Sequence, residues 1–183
     1  MCVRDAVSFE LAKQFTDNVY LLPDMAHQLY PLSIRPKKDP EGLLLINRLD
    51  TEKSSEADTS QFLPRTETDW PKLVGHREIL IDLFRKVVNR SGKLHMGRIA
   101  NKILMPVWIS YSKYLCNEAA ELFAEHQEIV SDRLHGHILA FVMSLPCTVL
   151  DNSYKKNSRY VAAWTAKSEL VKQLPPTSGK GNL

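Results

Sequence analysis

Residues 128–160 predict a strand-helix-strand unit and read Glu-Ile-Val-Ser-Asp-Arg-Leu-His-Gly-His-Ile-Leu-Ala-Phe-Val-Met-Ser-Leu-Pro-Cys-Thr-Val-Leu-Asp-Asn-Ser-Tyr-Lys-Lys-Asn-Ser-Arg-Tyr. Residues 128–130 and 147–150 are short apolar runs, which is the pattern of buried strands. Between them, apolar residues recur at helical spacing and give one apolar face: Leu134, Ile138, Phe141, Val142 and Leu145. Such a unit is the building block of an α/β protein.

Local signals mark both ends of this helix. Ser131 or Asp132 is expected to cap its start, because a short oxygen side chain can accept hydrogen bonds from the first free N–H groups. The helix is expected to run to about Ser144, since Pro146 cannot continue it. Small residues four apart form a second stripe, which allows close approach of another backbone: Gly136, Ala140 and Ser144.

Polar side chains occupy the two positions where such a unit binds ligands. Arg133 and His135 lie in the first helical turn, where unpaired N–H groups and the helix dipole favour anions. Residues 151–156 follow the carboxyl end of the next strand, where ligands collect in open α/β sheets. Basic residues outnumber acidic ones here, so we expect an anionic ligand: Arg133, Lys155, Lys156 and Arg159 against Asp132 and Asp151.

Composition excludes several classes of protein. The net charge of the 183 residues is only +3, and the basic residues do not form a face with interleaved aromatics, so nucleic-acid binding is not expected. No apolar run reaches the length of a membrane span, and the first residues lack the apolar core of a signal peptide. The three cysteines are far apart and have no zinc spacing, which is typical of reduced thiols in a cytosolic protein.

Strand and helix patterns alternate along the rest of the chain. The predicted strands are residues 2–3, 19–22, 43–46, 128–130 and 147–150. The predicted helices are residues 4–15, a helix from 70 that breaks at 90–93, an interrupted helical region at 99–125 in which Pro106 starts, kinks or ends a piece, the helix before Pro146, and residues 157–174. We therefore expect an α/β fold with a Rossmann-like parallel sheet flanked by helices.

Loops separate these elements. Residues 28–42 and 53–68 are expected to be polar loops, and the second has the composition of a disordered segment or a lid. Residues 1–174 are expected to form a single α/β domain, with residues 175–183 as a flexible tail. The first residues resemble a strand-to-helix junction, so we expect further structure before them.

Several motifs in the chain resemble those of the polysaccharide pyruvyl transferases. The specific one is Ser-Asp-Arg-Leu-His-Gly-His at residues 131–137, followed by Asp-Asn-Ser-Tyr at 151–154. Three earlier pieces agree with it: Arg4-Asp5 followed by Ser8, Pro23-Asp24-Met25-Ala26, and Arg48-x-Asp50-x-Glu52 after a strand. The resemblance extends over nearly the whole chain.

The resemblance implies a fold, a reaction and a set of substrates. These enzymes have the two-domain architecture of the GT-B glycosyltransferases, and the chain resembles their C-terminal portion. It lacks the Gly-rich loop of the family's N-terminal domain, so a missing domain or a partner chain is expected. The family transfers a pyruvyl group from phosphoenolpyruvate to a sugar of an exopolysaccharide or of a lipid-linked cell-wall glycan precursor. No metal and no organic cofactor are implied.

The resemblance also implies roles for the residues of the opening unit. Arg133 is expected to hold a carboxylate or phosphate of the donor, and the alternative is an ion pair with Asp132 or Asp151. His135 is the expected general acid or base, and the alternative is a capping or supporting histidine. His137 is expected to be structural, because it points to another side of the helix.

The remaining candidates flank this unit in space. Arg48 is a second expected anion anchor, with Asp50 orienting it or contacting sugar hydroxyls; the alternative is a solvated charge run. Lys156 or Lys155 is expected to neutralise the donor phosphate, and many family members have Gly where this chain has Lys155. Four further residues carry weaker expectations: Asn152 and Tyr154 as walls of the site or turn residues, and Arg4-Asp5 as a helix cap and salt bridge, with support of the interdomain cleft as the alternative.

Two other functions remain open from the sequence. One is a truncated, non-catalytic half that binds an anion and needs a partner domain. The other is a GT-B glycosyltransferase that uses a nucleotide-sugar, against which the Arg-Leu-His motif argues. For the pyruvyl transferase we expect a cytoplasmic location, with peripheral association at the inner face of the membrane as an option.

Overall fold

A computed structural model describes residues 1–48, 59–75, 78–93, 97–151 and 154–174. The helices are α1 Ala6–Lys13, α2 Trp70–Val74, α3 Glu78–Lys93, α4 Gly97–Ala124, α5 Leu134–Val142 and α6 Lys156–Trp164, with a 3₁₀ helix at Met25–Leu29. The strands are β1 Cys2–Val3, β2 Tyr20–Leu21, β3 Leu43–Ile46, β4 Thr66–Thr68, β5 Glu128–Ser131, β6 Cys147–Val149 and β7 Val171–Gln173.

The main sheet has five parallel strands in the order β4-β3-β5-β6-β7. Ile46 pairs with Ser131, and Ser131 pairs with Val149, so the central strands β3, β5 and β6 end at the same level. A separate pair of short parallel strands joins β1 to β2. Because all central strands run the same way, the loops after their carboxyl ends meet at one edge of the sheet. The predicted α/β fold with a Rossmann-like parallel sheet flanked by helices is confirmed.

The core lies between this sheet and the helices packed on one of its faces. Alternate strand residues on that face contact apolar residues of the helices in one cluster: Leu44, Ile46, Phe123, Ile129, Ala140, Cys147, Val149 and Val161. A second cluster lies on the outer side of α5 and α6, where Ile138, Val142 and Tyr160 pack against Ala26 and Leu32. The segment that contains β1, β2 and the 3₁₀ helix thus forms an outer layer over α5 and α6.

Helix α5 begins and ends in ways that follow from its sequence. Gly136 lies so close to β5 that an added Cβ would be 2.3 Å from the Ser131 Oγ, so only glycine fits there. At the other end, Leu145 N–H donates to the Ala140 carbonyl and Ser144 adopts a φ of 58°. This left-handed residue ends the helix ahead of Pro146, as the position of the proline predicts.

Several predictions about elements were wrong. The N-cap of α5 is Arg133 rather than Ser131 or Asp132, because both carboxylate oxygens of Asp132 accept hydrogen bonds from the Arg48 N–H instead. The final helix ends at Trp164, and β7 occupies part of the range predicted as helix, residues 157–174. Strand β4 likewise lies within the predicted loop at 53–68.

The long helices also differ from prediction. Helix α3 includes residues 90–93, which were expected to break it, and it ends at Lys93. Helix α4 contains Pro106 in its interior, so this proline neither starts nor ends a helix. The expected tail at 175–183 lies outside the described residues. No helix in the described part of the chain is long and apolar enough to cross a membrane.

Candidate functional site

Asp132 and Arg48 join two neighbouring strands at the carboxyl edge of the sheet. Asp132 follows β5 and is 2% exposed, and Arg48 follows β3 and is 9% exposed. Both oxygens of the Asp132 carboxylate lie 3.0 Å from the Arg48 backbone nitrogen, which donates to them. Burial raises the pKa of Asp132 to about 6, although this hydrogen bond and the charges of Arg133 and Arg48 oppose the rise.

Arg133 forms a buried two-point ion pair with Asp69. Its Nε donates to Asp69 Oδ1 at 2.9 Å and its Nη2 donates to Oδ2 at 2.6 Å. The Asp69 side chain is 1% exposed, and it also accepts a hydrogen bond from Trp70 N–H at the start of α2. Arg133 therefore ties the start of α5 to the start of α2.

His135 lies two residues after Arg133, in the first turn of α5 and on the exposed side of the helix. Its side chain is 64% exposed, and its Nε2 lies 3.5 Å from Asp24 Oδ2. The same Asp24 oxygen accepts a hydrogen bond from Arg4 Nη1 at 2.7 Å. One carboxylate thus contacts both a histidine and an arginine, and we call Arg4, Asp24 and His135 the Asp24 cluster.

Further hydrogen bonds hold the Asp24 cluster in place. Asp24 N–H donates to the Tyr160 hydroxyl at 3.0 Å, and Asp24 Oδ1 accepts from Ala26 N–H at 3.1 Å at the start of the 3₁₀ helix. Trp164 Nε1–H donates to the Arg4 carbonyl at 2.7 Å. The pKa of Asp24 is lowered: burial raises it, but the Ala26 hydrogen bond and the charges of Arg4 and His135 outweigh that effect.

The start of α5 faces this cluster with unpaired backbone donors. Arg133 caps the helix with its backbone in an extended conformation, and no described side chain accepts from the first-turn N–H groups. The N–H groups of residues 134–136 precede the first helical acceptor, so they have no partner within the helix. Together with the positive end of the helix dipole, they give an anion a place to bind.

His137 occupies a different environment from His135. It is fully buried, and its Nε2 lies 2.9 Å from the Thr165 Oγ1. Burial lowers the pKa of His137 to about 4, so the ring is neutral at neutral pH. These contacts agree with the structural role predicted for His137.

Lys155, Lys156 and Asn157 begin α6 at the same edge of the sheet. Lys155 is the N-cap and has a left-handed backbone, with φ 55° and ψ 33°. The Lys156 Nζ lies 5.1 Å from the centre of the Tyr154 ring, and all three side chains of residues 154–156 are exposed. Asn157 is 1% exposed, and its Nδ2 donates to the carbonyls of Asp132 and Leu150 at 2.7 and 2.8 Å. It therefore fixes α6 against the ends of β5 and β6.

A cavity of about 580 Å³ lies at the opposite, amino-terminal edge of the sheet. It is lined by the first residues of three strands, Leu43, Glu128 and Cys147, and by Glu169 and Lys172. None of the candidate site residues lines it. We therefore locate the candidate site by the polar contacts at the carboxyl edge of the sheet. Within the described residues, no group of His, Cys, Asp or Glu side chains could hold a metal ion.

Residues 1–154 match the polysaccharide pyruvyl transferase family, which is more than half of the chain. The chain belongs to this family. It is also 28% identical to EpsO of Bacillus subtilis (strain 168), whose name describes it as a candidate pyruvyl transferase. That match covers 98% of the chain and 55% of EpsO, so the chain spans about half the length of this relative.

The family membership confirms the resemblance drawn from the sequence, and the structure locates most of the predicted site residues. Two pairs lie at the same sheet edge, Arg48 with Arg133 and Lys155 with Lys156, while His135 faces outward from α5. For Arg133 the structure shows the ion pair considered as an alternative, with Asp69 as the partner rather than Asp132 or Asp151. Asp50 and Asn152 lie outside the described residues.

The site contains residues whose roles the sequence did not indicate. Asp69 and Asn157 hold the sheet edge together, and Asp24 brings Arg4 to His135. Asp24 is part of the family-like Pro-Asp-Met-Ala segment, so its motif was a signal, but its contact with His135 was not predictable from it. Arg4-Asp5 forms the predicted cap and salt bridge: Asp5 Oδ1 accepts from Ser8 N–H at 2.9 Å, and Arg4 pairs with Asp24.

Proposed function

We propose that the chain binds phosphoenolpyruvate and provides the acid that starts transfer of its pyruvyl group to a sugar. The observation that carries this proposal is the Asp24 cluster beside the uncapped start of α5. It combines two exposed basic side chains with unpaired backbone N–H groups. The family membership supports the reaction class.

The reaction sets clear demands on such a site. Carbon C3 of phosphoenolpyruvate takes a proton, C2 forms bonds to two sugar oxygens, and inorganic phosphate leaves. Of the two protons lost by the sugar hydroxyls, one balances the proton on C3 and the other leaves with phosphate. The donor carries two anionic groups, so cations must hold it while a proton donor approaches C3.

The proposal gives a role to each described candidate. His135 would donate the proton, since its imidazole is exposed and its Nε2 lies 3.5 Å from the Asp24 carboxylate, which can orient the ring. Arg4, 52% exposed, would bind one anionic group of the donor together with the first N–H groups of α5. Lys156 or Lys155 would neutralise the departing phosphate from the start of α6.

Arg133 and Arg48 are less accessible to a ligand than His135, Arg4 and the two lysines. The guanidinium of Arg133 is held by Asp69 at two points, and Arg48 is 9% exposed. We still propose that both residues contact the donor. Arg133 would do so while it keeps its ion pair with Asp69, and Arg48 would do so through the small part of its surface that is exposed. Asp50 and Asn152, outside the described residues, stay as proposed contacts to the sugar and to the donor.

A His135→Asn variant of the full chain tests the proposal. Removing the proton donor should abolish phosphate release from phosphoenolpyruvate in the presence of glycan acceptors, while phosphoenolpyruvate still binds within about threefold of the wild-type Kd. Turnover is measured as phosphate release, and binding by calorimetry. A His137→Gln variant is the matched control, because it changes a histidine two positions away that is fully buried. Unchanged turnover in His135→Asn would remove this residue from the mechanism.

The length of the relative favours a second candidate, an anion-binding half that acts together with another domain. The chain corresponds to 55% of EpsO. On this alternative the chain alone binds phosphoenolpyruvate, and the Arg4→Gln variant weakens that binding, but no phosphate is released with any acceptor. Turnover by the chain alone would exclude it. For either candidate we propose a cytoplasmic location, where phosphoenolpyruvate is made, and a sugar or lipid-linked glycan as acceptor.

A further inference from the structure

We propose that Asp24 is the positioning residue of the site, which orients the His135 ring and aims Arg4 at the same ligand. The effect of Asp24 on catalysis rests on the proposed function. The interaction of Asp24 with Arg4 and His135 rests only on the contacts of the Asp24 cluster. The two parts can therefore be tested separately.

Two hydrogen bonds hold Asp24 in place. Its backbone N–H donates to Tyr160 on α6, and its Oδ1 accepts from Ala26 N–H. Its side chain is 17% exposed, which is far less than either Arg4 or His135. The remaining oxygen, Oδ2, is the atom that both basic side chains contact. Two exposed basic side chains thus contact one carboxylate that is itself held in place.

The other titratable groups around Asp24 add no charge to the cluster at neutral pH. His27 lies beside Asp24, but burial lowers its pKa and the ring is neutral at neutral pH. Burial likewise raises the pKa of Tyr160, which keeps its hydroxyl neutral. Among the described residues, the ionic groups that act on Asp24 are therefore Arg4 and His135. When His135 is protonated, the cluster carries one negative and two positive charges. Its net charge is then positive, which favours binding of an anionic donor.

This arrangement serves an acid better than an isolated histidine would. A carboxylate near an imidazole stabilises the charged ring, which is the form that has a proton to give to C3. Because Asp24 also holds Arg4, an anion bound by Arg4 lies next to the acidic proton. Loss of the Asp24 charge should therefore affect the acid function of His135 more than the general integrity of the fold.

The first test is the pH profile of turnover in Asp24→Asn, in which the amide oxygen can still accept from Ala26 N–H. The high-pH limb of kcat should move to lower pH, with a loss of turnover of up to about tenfold above the limb. KM for phosphoenolpyruvate should change less than kcat. Asp82→Asn is the matched control, because it removes an exposed carboxylate paired with Arg85 and should leave the profile unchanged.

The second test needs no turnover. The carboxyl carbon signal of Asp24 is titrated by NMR in the wild type and in His135→Gln, and the pKa of Asp24 should rise in the variant, because the charge of His135 helps to lower it. Since the coupling between two titrating groups is reciprocal, this shift measures how strongly Asp24 favours the charged His135. An unchanged Asp24 titration, or an unmoved pH profile in an active Asp24→Asn enzyme, would overturn the inference. A shifted titration in a chain that transfers no pyruvyl group would support the Asp24 coupling and refute the proposed function alone.

Discussion

Lys155 adopts a left-handed backbone, with φ 55° and ψ 33°, directly before the first turn of α6. A side chain with a Cβ is strained there by roughly 1–2 kcal/mol, whereas glycine enters this region freely. The resemblance to the family had marked the same position, because many members have Gly there. In the structure this position has a left-handed backbone, which glycine adopts without the strain of a Cβ.

Lys155→Gly should therefore stabilise the protein. We expect the free energy of unfolding to rise by about 0.5–1 kcal/mol, which is the relieved strain less the added flexibility of glycine in the unfolded chain. Urea denaturation measures it. Lys155→Ala is the control, because it also removes the charge but keeps the Cβ, and equal stabilities of the two variants would contradict the argument. If both variants bind phosphoenolpyruvate like the wild type while Lys156→Ala binds it more weakly, Lys156 is the donor contact.

Residues whose role depends on a local pattern were predictable, and residues whose role depends on a distant partner were not. The Arg-Leu-His motif placed His135 in the first turn of a helix, and its period separated it from His137. In contrast, Asp69 meets Arg133 across 64 positions of the chain, and Asp24 N–H meets Tyr160 across 136. A single sequence contains no signal for such pairs, so the ion pair of Arg133 was anticipated with the wrong partner.

At the scale of the element, the close contact between α5 and β5 depends on Gly136. The Cβ of an alanine there would be 2.3 Å from the Ser131 Oγ and 3.2 Å from its Cβ. Ser131 cannot simply rotate away, since its Oγ accepts from Arg133 N–H and donates to the Arg133 carbonyl, each at 3.0 Å. Gly136→Ala should therefore lower the free energy of unfolding by about 1–3 kcal/mol, as expected for an overpacked contact.

A double-mutant cycle identifies this clash as the cause. In a Ser131→Ala background the nearest serine oxygen is gone, so adding Gly136→Ala should cost at least about 1 kcal/mol less than it does in the wild type. Thermal or urea unfolding of the four proteins gives the coupling energy. Additive effects would mean that the cost arises from something other than the Ser131 contact.

The strands that sequence patterns missed are the edge strands of the sheet. The central strands β3, β5 and β6 are buried on both faces and show as continuous apolar runs. The edges β4 and β7 read Thr-Glu-Thr and Val-Lys-Gln, and each has only three residues. An edge strand pairs on one side only and tolerates polar residues, so its pairing is decided by the neighbouring strand rather than by its own sequence. This explains why a loop and a helix were predicted there.

At the scale of the whole molecule, two buried titratable groups act in opposite directions on stability. His137 has an ordinary pKa of 6.5, lowered by burial to about 4, so between these values the unfolded chain binds more protons and stability falls as the pH falls. Asp132 has an ordinary pKa of 3.8, raised by burial to about 6, so over nearly the same range the folded protein binds more protons and stability rises as the pH falls. Across this range each group changes the free energy of unfolding by about 3 kcal/mol, at 1.36 kcal/mol per pKa unit.

The two effects should nearly cancel in the wild type and appear when one group is removed. Between about pH 6 and about pH 4 we expect His137→Gln to gain stability on acidification, because only Asp132 remains, and Asp132→Asn to lose stability, because only His137 remains. The double variant should again be nearly flat, whatever its absolute stability, and urea unfolding at a series of pH values gives all four slopes. Glutamine at 137 can still hydrogen-bond the Thr165 hydroxyl, which His137 contacts at 2.9 Å, so the change of slope reports the lost titration. Equal slopes in the wild type and both single variants would show that these two groups titrate alike in the folded and unfolded chain.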